Sequence, residues 1–410
     1  MSATTRRDLR WNFSAAFIDT VGWIFGMGLV SQTTILPLFV GQLTSEPLII
    51  GLIPVATYFG WLVPGILVSH LVERLPRVRG SVFAVAMLER VMLLLMALLC
   101  FWLGSRQPAA LLWGFFACWL VMNTAMGVNI PGYYKLIAKT IPADLRGRLY
   151  GIGGAASGVL GLAAAPIAAW FIATHSFPHG FALCFLGAFV AHTLSVIPLG
   201  LMREPRQEPG EEHRRTGILG SLGLLREDRR ILWLGVATCF YGLNQMAAGY
   251  FALYSQQKFH ASPELIAGAF TATVMAAKTV AFVVVGWIGD RIGNRAALDL
   301  AAVSGLLASA VAWLSPWPMG MFLVFALNEV VVQGWSICSM NYVLELCPPE
   351  RASRYTAVYH LVSAPFRILP PILGGLIVRS AGYAPLFALS ALAAALGLAV
   401  LRLRVPEVRE

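Results

Sequence analysis

Gly286 to Arg295 reads GWIGDRIGNR and stands between two long apolar runs, with Lys278 about two helical turns before it. The runs on either side carry almost no charge. A short charged turn at such a boundary marks where a chain leaves an apolar medium, so the neighbouring runs read as membrane spans. A weaker version, SHLVERLPRVR, occupies Ser69 to Arg79 in the first half of the chain. Two turns of this kind in one sequence point to a duplicated bundle of helices.

Composition agrees with that reading. Of 410 residues, 58% are hydrophobic and 12% charged, whereas a soluble chain carries roughly 25% charged residues. A helical span needs about 20 apolar residues. Twelve such runs can be placed, at 14–40, 48–71, 81–103, 109–134, 149–173, 180–201, 231–255, 263–288, 297–314, 318–342, 355–378 and 383–403. Most are interrupted by Gly or Pro, which spans tolerate where neighbouring helices re-satisfy the freed backbone groups. Trp11, Trp102, Trp170, Trp287, Trp313 and Trp317 lie near proposed span ends, as an interfacial belt would.

The net charge of +10 is a topology signal rather than a nucleic-acid signature. With these spans, Arg106, Lys258 and Arg379 fall on one face, and Arg90, Lys278 and Arg367 fall inside spans. Every other basic residue falls on the opposite face. That asymmetry predicts both termini in the cytoplasm. The six cysteines include no CxxC pair and read as membrane-packed free thiols. The first apolar run is too long for a signal peptide and reads as an uncleaved helix.

The long polar segment 203–230 mixes prolines with both signs of charge and reads as a cytoplasmic linker. It separates an expected six-helix bundle over 1–202 from a second over 231–410. Ile218, Leu219, Leu222 and Leu225 predict a short helix on the membrane surface. The halves match in order. Glu73-Arg74 pairs with Asp290-Arg291, Leu38-Phe39 and Gln42 with Leu253-Tyr254 and Gln257, and Pro142 and Arg148 with Pro348 and Arg354. Two like-oriented halves can enclose a cavity that opens to either side.

With these residues in view, the chain resembles the major facilitator superfamily over essentially its whole length. Gly286-x-x-x-Asp290-Arg291-x-Gly293-x-Arg295 matches the loop that follows the second helix of each half in that family. The first-half copy is degraded: Ser69 replaces a glycine, Pro76 replaces another, and Glu73, Arg74 and Arg77 keep only the charges. The resemblance implies an all-α polytopic membrane protein, twelve spans in two pseudo-symmetric bundles, working by rocker-switch alternating access. It also implies a monomer in the cell inner membrane.

The physics of the loop gives its residues roles. Gly286 and Gly289 are expected to remove side chains where helices pack closely. Asp290 can accept from the amide end of an adjacent helix and pair with an arginine. Arg146 and Arg148 are its expected partners, with Arg351 and Arg354 expected for Glu73. Such pairs would form a cytoplasmic gate that breaks between states. An ordinary tight turn carrying positive-inside charge is the simpler alternative.

Charges inside spans cost about 2.5 to 3.5 kcal/mol each on insertion scales, so each asks for a reason. Asp19 in the first span and Glu329 in the tenth are the candidates for proton coupling, and proton-coupled exporters of the resembled family often carry a first-span acid. Asn123 is the counterpart of Glu329 in the first half. Lys278 in the eighth span and Arg367 in the eleventh can bind an anionic substrate group or pair with Glu329, a static pair being the alternative. Gln32, Asn129, Asn244, Gln245 and Gln333 can supply polar contacts, and Trp23, Trp61, Trp119 and Trp335 aromatic walls. Interhelical hydrogen bonds explain the amides equally well. Glu89 and Arg90 are adjacent and therefore face different directions, which suits snorkelling toward the membrane surface. His192 and His360 read as helix contacts.

Other classes find no support. Lys278-Thr279 lacks the glycines of a phosphate loop, and no HExxH, GxSxG or metal-spaced cluster is present. The expectation is a non-enzymatic, proton-coupled secondary transporter with no cofactor or metal, partnered by lipid, protons and a small molecule but not by nucleic acid. Export of an amphipathic, drug-like compound is the substrate reading placed first, and uptake of a small organic anion is its alternative. A transporter-like receptor or lipid-handling protein is the reading from a different class.

Overall fold

The computed structural model describes residues 6–104, 106–206, 224–347 and 352–407. Most of these residues are helical, with no strand among them. Among the described residues, eleven helices are long and apolar enough to cross a membrane: Pro47–Ser69, Arg79–Leu103, Pro108–Thr140, Gly151–Thr174, His179–Gly200, Arg229–Phe259, Pro263–Arg291, Asn294–Leu314, Gly320–Leu346, Val358–Ala381 and Tyr383–Arg404. The first span completes the twelve. It runs as Arg6–Leu29 and resumes as Ile35–Leu43 after a turn at 30–34. Its early charges and Asp19 leave it less uniformly apolar than the others. Of the short surface helix expected near 218–225, Ile218, Leu219 and Leu222 lie outside the described residues, and Leu225 sits in the single turn Leu224–Glu227.

Local chemistry sets the helix ends. Asp228 accepts from the Arg230 amide at 2.9 Å and opens the seventh span. Ser262 accepts from the Leu265 amide at 3.2 Å, with Pro263 next in the chain, and opens the eighth. Gly293 turns the chain between spans 8 and 9 with φ of 137°, and Gly382 turns it between spans 11 and 12 with φ of 82°. Only glycine adopts such angles cheaply.

Three later spans also change geometry within the membrane. The seventh tightens to a 3-10 stretch at Gln245–Tyr250, the eighth widens to a π turn at Ile266–Phe270, and the eleventh breaks between Ala352–Ile368 and Pro370–Ala381. Pro370 and Pro371 cannot donate to the preceding turn, which explains the last break.

The chain forms two compact units. The first comprises Met1–Leu43, Ala56–Glu212 and Ser262–Met275, and the second Thr44–Val55, His213–Ala261 and Ala276–Glu410. In the first, Phe39 packs on Phe115, Phe181 and Phe185 at centroid distances of 5.2 to 5.5 Å. Spans 2 and 4 cross there backbone to backbone, because a Cβ on Gly127 would stand 2.0 Å from the Gly60 carbonyl. In the second, Tyr241, Trp335, Tyr342, Tyr355 and Tyr359 share one apolar core. Spans 7 and 11 meet where a Cβ on Gly242 would stand 1.7 Å from the Phe366 carbonyl. Small residues at crossings are what lipid, which gives helices no hydrophobic reason to associate, requires. All six belt tryptophans are exposed.

Candidate functional site

Span 1 brings Asp19 against span 3, where Glu89 and Arg90 lie, and all three side chains are buried. Snorkelling does not describe this pair. Arg90 folds back along its own helix, donating from Nη1 to the Ala86 carbonyl and to Glu89 Oε2, both at 2.9 Å. Its Nε donates to the His192 carbonyl of span 6 at 3.3 Å, and its Nη2 stands 3.8 Å from Asp19 Oδ1. Asn129 of span 4 donates to Glu89 Oε1 at 3.2 Å. His192 donates from Nε2 to the Trp23 carbonyl at 2.9 Å, since a carbonyl only accepts, and its ring stacks on the Trp23 indole. Four spans therefore converge on two carboxylates and one guanidinium. The sequence signal for Glu89 was only its depth in the span.

The second unit holds a cluster of amides. Asn244 reaches the Gly305 carbonyl, Ser309 Oγ and the Ser390 carbonyl at 3.0 to 3.3 Å. Gln245 donates to Asn328 Oδ1 at 3.2 Å. Glu329, on the same helix as Asn328, accepts from Gln333 at 3.3 Å and feels the charge of half-buried Lys278. Arg367 is half-buried in span 11, and its charge acts on His360.

The remaining cavity candidates divide by environment. Trp335 is buried and stacked on Tyr241 at 4.8 Å, and Trp119 is buried with its indole N–H on Thr57. Trp61 and Gln32 are half-buried, and the Trp61 indole nitrogen has no hydrogen-bond partner. Asn123 is fully buried, donating to the Trp119 carbonyl at 2.7 Å while its own carbonyl oxygen lacks a donor.

On the side carrying the termini, Gly289 behaves as expected: a Cβ there would meet Asn294 Oδ1 at 3.1 Å and Cys338 Sγ at 3.3 Å. Gly286 does not, because a Cβ there would meet nothing within 4 Å, so close packing is not its reason. Gly293 lies against the Glu407 carboxylate, and a Cβ on it would stand 2.6 Å from Oε1. Asp290 and Arg291 are exposed, and Arg295 reaches the Arg402 carbonyl at 3.5 Å. Arg146 donates to the carbonyls of Ile141 and Ala138, and Arg148 and Arg74 are exposed. Arg351 and the side chains of Glu73 and Arg354 lie outside the described residues.

Sequence reading missed Glu204, which it placed in the linker. Its carboxylate accepts from the Val78 and Arg79 amides at 2.8 to 3.0 Å and from Lys139 Nζ at 3.0 Å. Lys139 also donates to the Pro76 carbonyl at 2.7 Å, and Lys135 to those of Val72 and Leu75 at 2.9 Å. A carboxylate thus closes the amide end of span 3 and gathers the degraded turn around it. The signal was a repeat: Glu204 beside Pro205 after span 6, and Glu407 beside Pro406 after span 12.

Comparison with known proteins agrees with this architecture. The Major Facilitator Superfamily profile matches residues 18–369. The solved D-xylose-proton symporter superposes with a TM-score of 0.72 at 14% identity, covering 98% of each chain. A mutant of the nucleoside transporter NupG gives 0.71 at 13% identity, covering 96% of this chain and 99% of that one. A bacterial homologue of the human lysosomal transporter Spinster gives 0.63 at 13% identity, covering 97% and 95%. No curated protein matches the sequence. A twelve-span helical architecture, duplicated turns and a profile match over most of the length lead to one conclusion: the chain belongs to the Major Facilitator Superfamily and is a multi-pass membrane transporter.

Proposed function

We propose that this protein is a proton-coupled secondary transporter of the inner membrane, with cytoplasmic termini, working by rocker-switch alternating access. The observation that carries the reading is the buried group of Asp19, Glu89 and Arg90. Two carboxylates around one guanidinium leave a negative charge far from water, and a proton is the smallest ligand that neutralises it. Glu329, beside Lys278 in the other unit, is the second candidate for coupling. Glu204 with Lys139, and Glu407 with Gly293, each within one unit, are proposed to brace the turns that carry the cytoplasmic gate, around the motif residues Asp290 and Arg291.

Of the substrate readings, a small polar solute with an anionic group is favoured over an amphipathic drug. Gln245, Asn328, Glu329, Gln333 and Lys278 gather hydrogen-bonding and charged groups, while Trp119 and Trp335 are taken up by helix packing. Uptake follows as the favoured direction, in keeping with the solved D-xylose-proton symporter of the same fold. Export of a drug-like compound is the competing outcome.

Two measurements test this. Thermal stabilisation of the purified protein across a panel of metabolites and drugs finds the ligand class. Proteoliposomes loaded with a pH dye then report whether that ligand moves protons. Stabilisation by organic anions with ligand-driven acidification supports the proposal. Stabilisation without proton movement supports a receptor, and lipid movement alone supports a lipid-handling protein.

A further inference from the structure

Arg90 is shared unequally. Both oxygens of Glu89 are hydrogen-bonded, Oε2 to Arg90 at 2.9 Å and Oε1 to Asn129 at 3.2 Å. Asp19 Oδ1 has no hydrogen-bond partner, although the residue is only 8% exposed. Its distance of 3.8 Å to Arg90 Nη2 is too long for a hydrogen bond. The rest of the guanidinium is held by the carbonyls of Ala86 and His192. Arg90 therefore already has an ionic partner before Asp19 is considered.

We infer that Glu89 is the resident counter-ion of Arg90, a positioning residue that keeps Asp19 free to take up and release one proton. The inference rests on the proton-coupled reading above. With Glu89 ionised, the Glu89–Arg90 pair is neutral, and the charge state of the site is set by Asp19 alone. Uptake forms one O–H bond on the Asp19 carboxylate with a proton delivered by water, and the buried site becomes neutral. Release breaks that bond, returns the proton to water, and leaves one net negative charge. Arg90 must then be divided between two carboxylates, so the two groups titrate as a coupled set.

The other groups around the site do not compete for the role. Span 6 presents His192, whose Nε2 hydrogen is held by the Trp23 carbonyl and whose protonation at Nδ1 would set a second cation near Arg90. Span 4 presents the uncharged Asn129. Span 5 is part of the helix Ala143–Thr174, which packs on span 1; its ionisable residues all precede Gly151, with Arg146 turned to the Ile141 and Ala138 carbonyls and Arg148 exposed. Without Glu89, the guanidinium would have Asp19 as its remaining carboxylate and would hold it ionised.

Infrared difference spectroscopy tests this on the purified full-length protein in liposomes, with a pH step as the probe and no transport substrate. A protonated buried carboxyl gives a C=O band well separated from carboxylate bands. The wild type is expected to show such a band that disappears on alkalinisation and is missing in Asp19→Asn, apart from any band that Glu329 contributes. Glu89→Gln is expected to lack it as well, although Asp19 is intact, and Glu89→Asp to restore it. The restoring variant guards against a folding defect in Glu89→Gln, as does a monodisperse elution profile. Retention of the Asp19 band in Glu89→Gln would overturn the inference and leave the proton-coupled reading in place. Absence of any titrating band in the wild type would overturn both.

Discussion

The Tyr250 hydroxyl donates to the Pro371 carbonyl at 2.9 Å and also stands 3.2 Å from the Pro47 carbonyl. One fully buried side chain thereby joins the 3-10 stretch of span 7 to the start of span 2 and to the restart of span 11, all within the second unit. Three glycines make room for it. A Cβ on Gly51 or Gly375 would stand 2.6 or 2.8 Å from the hydroxyl oxygen, and one on Gly374 would stand 3.0 Å from the ring.

Two substitutions separate the hydrogen bond from the packing. Tyr250→Phe removes the donor only and is expected to cost about 1 kcal/mol, read as a modest fall in Tm. Gly375→Ala brings a Cβ to 2.8 Å from the Leu48 Cα, a backbone atom that cannot swing aside. It is expected to lower Tm further than Tyr250→Phe does. Equal effects would show that the segments are not locked in register.

Glu204 gives a prediction for the terminus-bearing side. Glu204→Ala leaves the Val78 and Arg79 amides without their acceptor and Lys139 without its carboxylate. A carboxylate at a partly buried helix start contributes up to about 2 kcal/mol. Hydrogen exchange over residues 78–82 is expected to accelerate, with span 6 unchanged. Unaltered exchange at 78–82 would remove Glu204 from the gate.

The glycines of the loop motif should behave unalike. Gly286→Ala meets nothing within 4 Å, and alanine in a helix is favoured over glycine by about 0.5 to 1 kcal/mol, so the variant should be as stable as the wild type or slightly more so. Gly127→Ala, against the Gly60 carbonyl, and Gly242→Ala, against the Phe366 carbonyl, should yield little folded protein. Expression and size-exclusion profiles of the three variants check this.

Asp228 links stability to pH. Burial pulls its carboxyl upward, but hydrogen bonds from Arg230 and Tyr355 and the Arg230 charge together hold it below its usual value. A carboxyl whose value is depressed on folding contributes stability above the ordinary carboxylate range and loses it as pH falls through the folded value. Asparagine caps a helix about as well as aspartate, so Asp228→Asn loses only the charge on its bonds to Arg230 and should lower Tm slightly at neutral pH. The gap to wild type should close in acid. A gap that widened in acid would contradict this sign.

The fold was legible because lipid imposes a single rule over long stretches: apolar runs of spanning length, with charge gathered on one face. The candidate site was legible only where one residue declares itself. Asp19 and Glu329 stand alone in apolar spans and are conspicuous. Glu89 was hidden by its neighbour, since adjacent helical residues diverge; an arginine is long enough to bend back and undo that divergence. Glu204 was hidden by its setting, a segment whose prolines and charges read as solvated linker. Trp335 illustrates the converse, because an aromatic residue in a span is equally at home facing a cavity or another helix, and packing against Tyr241 decides it.

Asn244 has a consequence for motion. Its one amide group reaches span 9 through Gly305 and Ser309 and span 12 through Ser390, and it is carried by span 7. A Cβ on Gly305 would stand 2.6 Å from its oxygen, so the three helices are fastened at close quarters. The next residue, Gln245, holds Asn328 of span 10. A solute that displaces Gln245 would not tug at a single helix. It would work a lever whose fulcrum is Asn244, and spans 7, 9 and 12 would swing as one piece.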